Sequence, residues 1–235
     1  MSEFSQSPRL NRRDFAVAAC AAATAIAWPR IAFSSPASAM PTADEALKRL
    51  LAGNARFVTG KTMHPDQAPG YRNGLAKAQH PFAIVLSCSD SRVPPEIAFD
   101  QGLGDVFTIR IAGAVYDDPG LGSMEYAVEH FHSPLLVVMG HENCGAVIAT
   151  IDAVDKPGGE APGHIGSLVS RIKPAAESTK GKTGNRVDNA VRQCIKNTVD
   201  ALKTEKIMAD AIAAGKLRIV GARYSLTAGS VSVIA

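Results

Sequence analysis

The sequence is poor in the features that would place it in a specialised class. Only four cysteines occur in 235 residues, too few and too dispersed for a disulfide framework. Neither sign of charge dominates: 25 Lys+Arg stand against 22 Asp+Glu, a net charge of +3. With no long basic run, a nucleic-acid partner is not expected. No apolar run reaches the roughly 20 residues of a membrane-spanning helix. Internal repeats and low-complexity segments are absent as well. What is present is a 46% hydrophobic and 20% charged composition, enough apolar material for a buried core and incompatible with a disordered or fibrous chain.

The first 39 residues read as a segment apart. Asn11-Arg12-Arg13-Asp14-Phe15 precedes an uncharged, alanine-rich stretch from Ala16 to Trp28, and Ala37-Ser38-Ala39 is a small-x-small cleavage pattern. Basic start, apolar middle and small-residue end are the layout of a secretory signal, and paired arginines before x-Phe resemble the twin-arginine type. The expected organisation is a signal peptide over residues 1–39 and one domain over residues 40–235, exported or periplasmic, with no stable membrane span after signal removal. Cleavage leaves a net charge of +1 and three cysteines, Cys88, Cys144 and Cys194. Three is an odd number for an oxidising compartment and fits a metal site better than disulfides. A twin-arginine route exports folded protein, so a metal can be loaded first.

Along the remaining chain, Thr42-Ala43-Asp44-Glu45 has capping-box spacing ahead of an apolar period, which predicts a helix over 43–58. A short second helix is expected over Tyr71–Gln79. Phe82–Leu86 and Leu135–Met139 are continuous apolar runs, the mark of strands buried on both faces. Val106–Ile111 is a further strand candidate. Helices are expected over 122–130 and 146–154, and over most of 165–214 with breaks at Pro174 and Gly181–Gly184. Leu217–Tyr224 and Ser230–Ile234 read as a terminal hairpin. The fold class is therefore α/β: a mostly parallel sheet covered by helices, with an N-terminal helical arm and a C-terminal antiparallel edge strand.

Two segments carry chemistry, each just past the end of a buried strand, the edge where open α/β sheets place ligands. They are Cys88-Ser89-Asp90-Ser91-Arg92-Val93 and Gly140-His141-Glu142-Asn143-Cys144-Gly145. Cys88, His141 and Cys144 form a two-thiolate, one-imidazole set suited to tetrahedral zinc. His141 and Cys144, three apart, share one side of a helical turn. Cys88 and Asp90, two apart, point the same way from an extended backbone. A fourth position filled by water makes a catalytic site, and Asp90 there makes a closed one.

The two motifs together resemble those of the β-class carbonic anhydrases, and the resemblance covers residues 43–235. It implies one Zn2+ per chain on Cys88, His141 and Cys144, and reversible hydration of CO2 to bicarbonate and a proton by zinc-bound hydroxide. It implies that Asp90 pairs with Arg92 and orients that oxygen, and that Asp90 swings onto zinc in a closed state. Gln79, nine residues before Cys88, matches a substrate-contacting glutamine found in members with an open site. Phe107 and Tyr126 match residues lining the apolar substrate pocket, partly across a dimer interface, and the Gly145 amide matches a bicarbonate contact. A homodimer or higher even homo-oligomer follows. The chain departs from the family at Arg110-Ile111-Ala112-Gly113-Ala114, where Asn is frequent. It also has Val85 where members with a second bicarbonate site carry Trp, although Arg110 and Tyr224 match that site's other two residues.

Rival readings remain at this level. Hydrolysis of a related linear molecule such as carbon disulfide uses the same metal set. A non-catalytic zinc or anion-binding protein would not need Asp90–Arg92, and a thiol redox protein would be expected to show Cys-x-x-Cys. His64 and His164, in loops, are candidates to pass protons to solvent. His130 and His132 face different ways and are not a metal pair. Cys194 reads as a buried apolar thiol.

Overall fold

The computed structural model describes residues 40–156 and 161–235; the expected signal segment lies outside them. The chain opens with α1, Ala43–Val58, and its start is the capping box read from sequence. The Thr42 backbone N–H donates to Glu45 Oε2 at 2.8 Å, and the Glu45 N–H donates to Thr42 Oγ1 at 3.3 Å. Two orphan donors of the first turn are thereby satisfied. α2 is Pro69–Leu75. It starts earlier and ends earlier than Tyr71–Gln79 because Pro69 pre-sets the first helical φ and the helix caps at Ala76. Gln79 is thus left in an exposed connection.

Next come β1, Ala83–Ser87, α3, Pro95–Ala98, β2, Val106–Arg110, and a short 3-10 turn, Ala112–Ala114. α4 spans Asp118–Phe131, longer than the expected 122–130. Its Asp117 N-cap accepts from the Gly120 N–H at 2.9 Å, and Pro119 occupies the first turn, where its missing N–H is harmless. β3, Leu135–His141, α5, Gly145–Asp155, α6, Ile165–Ser178, α7, Arg186–Thr204, and α8, Lys206–Ala213, follow, then β4, Arg218–Tyr224, and β5, Val231–Val233.

Pro174 does not break the chain as expected; it lies inside α6. The lost hydrogen bond falls on the solvent face, where Ser170, four residues earlier, is exposed, so water can satisfy the freed carbonyl. Ile172, Ala175 and Ala176 meanwhile keep the opposite face buried.

The sheet order is β2-β1-β3-β4-β5. The first four strands are parallel and β5 pairs antiparallel with β4. Alternate side chains of β1 enter two separate cores. Ile84 and Leu86 join the apolar face covered by α4 to α8, whereas Ala83 and Val85 join Ala46, Leu50 and Phe99 under α1 and α3. Burial on both faces accounts for the unbroken apolar runs of β1 and β3. β2, an edge strand, is only half-buried. Gly53 shows how tightly α1 docks: a Cβ there would lie 1.7 Å from the Phe99 carbonyl oxygen. Asn54, one residue on, donates to the carbonyls of Ala98 and Gly229 and accepts from the Val231 N–H, each within 2.9 Å. The first helix is thereby tied to the terminal hairpin.

Among the described residues, no helix is long and apolar enough to cross a membrane.

Candidate metal centre

β1 and β3 are neighbouring parallel strands with Ser87 opposite Met139. The residues that follow, Cys88 and His141, therefore emerge at the same edge of the sheet. Cys144 is the N-cap of α5, next to the N–H donors that a helix start leaves free. All three ligand atoms lie within 4.8 Å of one another, and all three residues are buried.

The two sulfurs are 3.9 Å apart. Zinc at about 2.3 Å from each sulfur in tetrahedral geometry would separate them by about 3.8 Å. His141 supplies the second indication. Its Nδ1 is 2.8 Å from the Glu142 carbonyl oxygen, so Nδ1 carries the proton and Nε2 presents a lone pair. That Nε2 is fully buried and has no hydrogen-bond partner, a costly arrangement unless a metal takes the lone pair. Electrostatics agrees. The Cys88 thiol is lowered, chiefly by the Cys144 thiol, with His141 and the Gly113 N–H assisting against burial. Cys144 is pushed up because its thiolate would face the Cys88 sulfur in a buried site. Only a cation lets both ionise. The residues present fit zinc.

Asp90 stands beside the trio rather than in it. The Arg92 backbone N–H and Nε both donate to Asp90 Oδ1 at 2.9 Å, and Nη2 donates to Oδ2 at 2.7 Å. Oδ2 is 3.7 Å from His141 Nε2. Hydrogen bonding from Arg92, against some burial, holds the Asp90 carboxyl well below the usual carboxylate range. Asp90, for which the resemblance implies a pairing with Arg92 in an open site and a place on the metal in a closed one, is here paired with Arg92, because a planar guanidinium matches a carboxylate in two places.

The remaining expected residues are distributed unevenly. Gly145, the first residue of α5, is exposed with open space at its Cα. Phe107 and Tyr126 instead form an aromatic group with Phe131, at centroid distances of 5.8 Å and 5.3 Å. Neither lines the cavity formed by Cys88, His141 and Cys144, and Gln79 does not line it either. Gln79 precedes β1 and Cys88 follows it, so the strand's length separates them. Cys194 does line that cavity, as the buried thiol expected of it, raised to about 11 by burial. His132 is not on a helix face: it caps α4 in a left-handed conformation, φ 55°.

Sequence reasoning missed three supports. The Gly113 N–H donates to Cys88 Sγ at 3.2 Å. Arg110 donates to the carbonyls of Cys88 and Asp90, which fixes the Cys88–Asp90 turn. Glu142 anchors the β3 turn through Arg223. The signal for Arg110 was its place at the end of β2, opposite Ser87; Gly113 and Glu142 gave none that spacing could detect.

The carbonic anhydrase family profile matches residues 83–231. The chain is 45% identical over 190 residues to "Carbonic anhydrase" of Mycolicibacterium smegmatis, covering 80% of this chain and 91% of that one. It is 43% identical over 186 residues to "Carbonic anhydrase 2" of Mycobacterium tuberculosis, covering 78% and 89%. Among solved structures, the Coccomyxa β-carbonic anhydrase in complex with acetazolamide superposes with a TM-score of 0.64 at 25% identity, covering 80% of this chain and 86% of that one. A tetrameric β-carbonic anhydrase structure from Sordaria macrospora gives 0.65 at 23% identity, covering 81% and 98%. A helix-covered parallel sheet presenting two thiols and an imidazole at one edge is the framework of a zinc enzyme. The chain belongs to the carbonic anhydrase family, in its β class. Its cofactor is zinc and its reaction is the reversible hydration of CO2, a carbonate dehydratase activity.

Proposed function

We propose that CO2 hydration in this protein is organised by Asp90 and Arg92 around the Cys88–His141–Cys144 centre, with the site resting open. One observation carries this: the two-point clamp of Arg92 on Asp90, with Oδ2 only 3.7 Å from His141 Nε2. Bound zinc supplies a Lewis acid that brings the pKa of water toward about 7. Asp90, kept ionised by Arg92, can only accept hydrogen bonds, so it orients an attacking O–H and leaves a lone pair for carbon dioxide. The exposed Gly145 amide, a free donor at the start of α5, holds a bicarbonate oxygen.

Gln79, Phe107 and Tyr126 complete the pocket from a second copy. Within one chain β1 keeps Gln79 and Cys88 apart by its whole length, about 17 Å for five residues, and β2 leaves one edge unpaired. That edge supports a homodimer or a higher even oligomer, and the Sordaria neighbour is named as tetrameric. The resting state follows from Val85 and Arg110. The Val85 side chain is fully buried and offers no hydrogen-bonding group, and Arg110 directs Nε and Nη2 to two backbone carbonyls, which disfavours a second bicarbonate site.

The test is zinc content and CO2 hydration measured on one sample, with carbon disulfide assayed beside it. About one zinc per chain with rapid hydration is expected. Zinc-loaded protein that acts only on carbon disulfide would overturn the substrate assignment.

Residues 1–39 are read as a twin-arginine export signal and 40–235 as the mature enzyme. Arg12→Lys with Arg13→Lys should leave precursor in the cytoplasm, since the pair itself is what the export route reads. Fractionation followed by immunoblotting checks this; undiminished processed protein in the periplasm would refute it.

A further inference from the structure

We infer that Glu142 is a positioning residue for the His141 imidazole and that Arg223, from β4, holds Glu142 in place. The inference rests on the zinc reading of the Cys88–His141–Cys144 centre. His141 needs its ring fixed with Nδ1 protonated, and the group that fixes it is the carbonyl of the very next residue, 2.8 Å away. A backbone carbonyl at a strand end is only as well aimed as its peptide is held. Glu142 is anchored through its backbone N–H and through its carboxylate, on either side of the Cα that carries the carbonyl. Its N–H donates to the Tyr224 carbonyl at 3.1 Å. Its carboxylate accepts from Arg223 Nη2 at 2.8 Å, from Ser225 Oγ at 3.0 Å and from the Leu226 N–H at 2.9 Å. The chain then turns through Asn143 in a left-handed conformation, φ 50°, one that Asn tolerates.

The clamp continues outward. Arg223 Nε donates to Asp188 Oδ1 on α7 at 2.5 Å, and Asp188 also accepts from Arg192 at 2.8 Å. The side chains of Arg223 and Glu142 are 16% and 24% exposed, so the pair is shielded enough to be stiff. A long helix, the terminal hairpin and the metal-bearing turn are thus joined through Arg223. Hydrogen-bond partners behind a metal ligand typically change metal affinity by about 10–100-fold when removed. Glu142 reaches the metal side through its own backbone, so its side chain governs that effect without touching the centre. An ion pair that merely stabilised the fold would change the melting temperature and leave zinc affinity alone.

The experiment compares wild type with Glu142→Ala, Glu142→Gln, Arg223→Met and the Glu142→Ala/Arg223→Met double variant. Arg49→Met serves as control: it breaks the Arg49–Asp105 pair, which involves no residue of the centre. Zinc affinity is read by competition with a chromogenic chelator, the cobalt-substituted proteins by their absorption spectra, and stability by thermal melting. Glu142→Ala and Arg223→Met should each weaken zinc about tenfold or more and alter the cobalt spectrum. The double variant should be no worse than Glu142→Ala alone, since both act through one interaction. Glu142→Gln should recover part of the loss, because its amide oxygen still accepts from Leu226 or Ser225. Arg49→Met should melt earlier with zinc affinity unchanged. Zinc affinity within twofold of wild type in both Glu142→Ala and Arg223→Met would overturn the inference, whatever the melting temperatures. If Glu142→Ala fails to fold, Arg223→Met decides alone, since Arg223 contacts no metal ligand. Wild-type protein that binds no zinc would instead sink the zinc centre and this inference with it.

Discussion

Changing Cys88 to serine should release the metal and abolish catalysis together. Serine is nearly isosteric with cysteine, and Cys88 is buried at the end of β1, so the sheet should persist. The chemistry does not. A hydroxyl stays protonated where the Cys88 thiol is lowered toward its thiolate, and zinc in a Cys/His site binds the thiolate. With one thiolate and one imidazole remaining, retention should fall from about one zinc per chain to a small fraction of that. CO2 hydration should fall by at least about a thousandfold, since the metal supplies most of the activation of water. Elemental analysis and stopped-flow hydration on the same preparation read both quantities, and circular dichroism guards against simple unfolding. Cys194→Ala is the matched control. Its thiol lines the same cavity but is excluded from the converging trio, so zinc and turnover should survive at a stability cost of about 1 kcal/mol for the deleted sulfur. Full hydration activity in metal-free Cys88→Ser would contradict the whole assignment.

The contrast between Cys88 and Glu142 explains how much could be read in advance. Cys88, Asp90 and Arg92 lie within five residues, as do His141, Cys144 and Gly145, and each set follows a strand visible as an apolar run. Local spacing and strand ends were therefore enough to bring the ligands together, and the capping box fixed α1 to the residue. Glu142 draws its partners from residues 223–226, about eighty positions away, and no periodicity reports such a pairing. Gln79, Phe107 and Tyr126 rest on family resemblance alone, and none of them lines the cavity of Cys88, His141 and Cys144. Pro174 was misread for a simpler reason. A proline within a helix costs less where the carbonyl it orphans can reach water, and exposure is a tertiary property.

Arg92→Ala should leave zinc in place and still collapse turnover, because Arg92 restrains Asp90 rather than binding the metal. The wild-type carboxylate is held by three donors, all from Arg92, one of them its backbone N–H. Alanine keeps only the backbone donor. Oδ2 is already 3.7 Å from His141 Nε2, so a small rotation of the freed side chain brings it to the trio as a fourth ligand. There it occupies the position that water needs, and hydration should drop by about two orders of magnitude or more, the range set by losing a positioned general acid–base or acceptor group. A second explanation must be separated from this one. Arg92 also depresses the Asp90 pKa, and a group whose folded pKa is depressed contributes stability above its unfolded pKa that is lost as pH falls through the folded value. Removing Arg92 lets the pKa climb toward the ordinary value of about 3.9, so Asp90 of the variant is still ionised at neutral pH. The stability change should therefore be present at neutral pH, as a melting temperature below that of wild type, and should shrink as the pH falls through the acid range. The catalytic defect should be the same at pH 7 and pH 9. Activity that returns as the pH is raised would mean that Arg92 acts by keeping Asp90 charged, and loss of zinc from Arg92→Ala would mean that it supports the metal directly. A defect that is constant with pH, in protein still holding about one zinc per chain, is what a displaced Asp90 carboxylate produces.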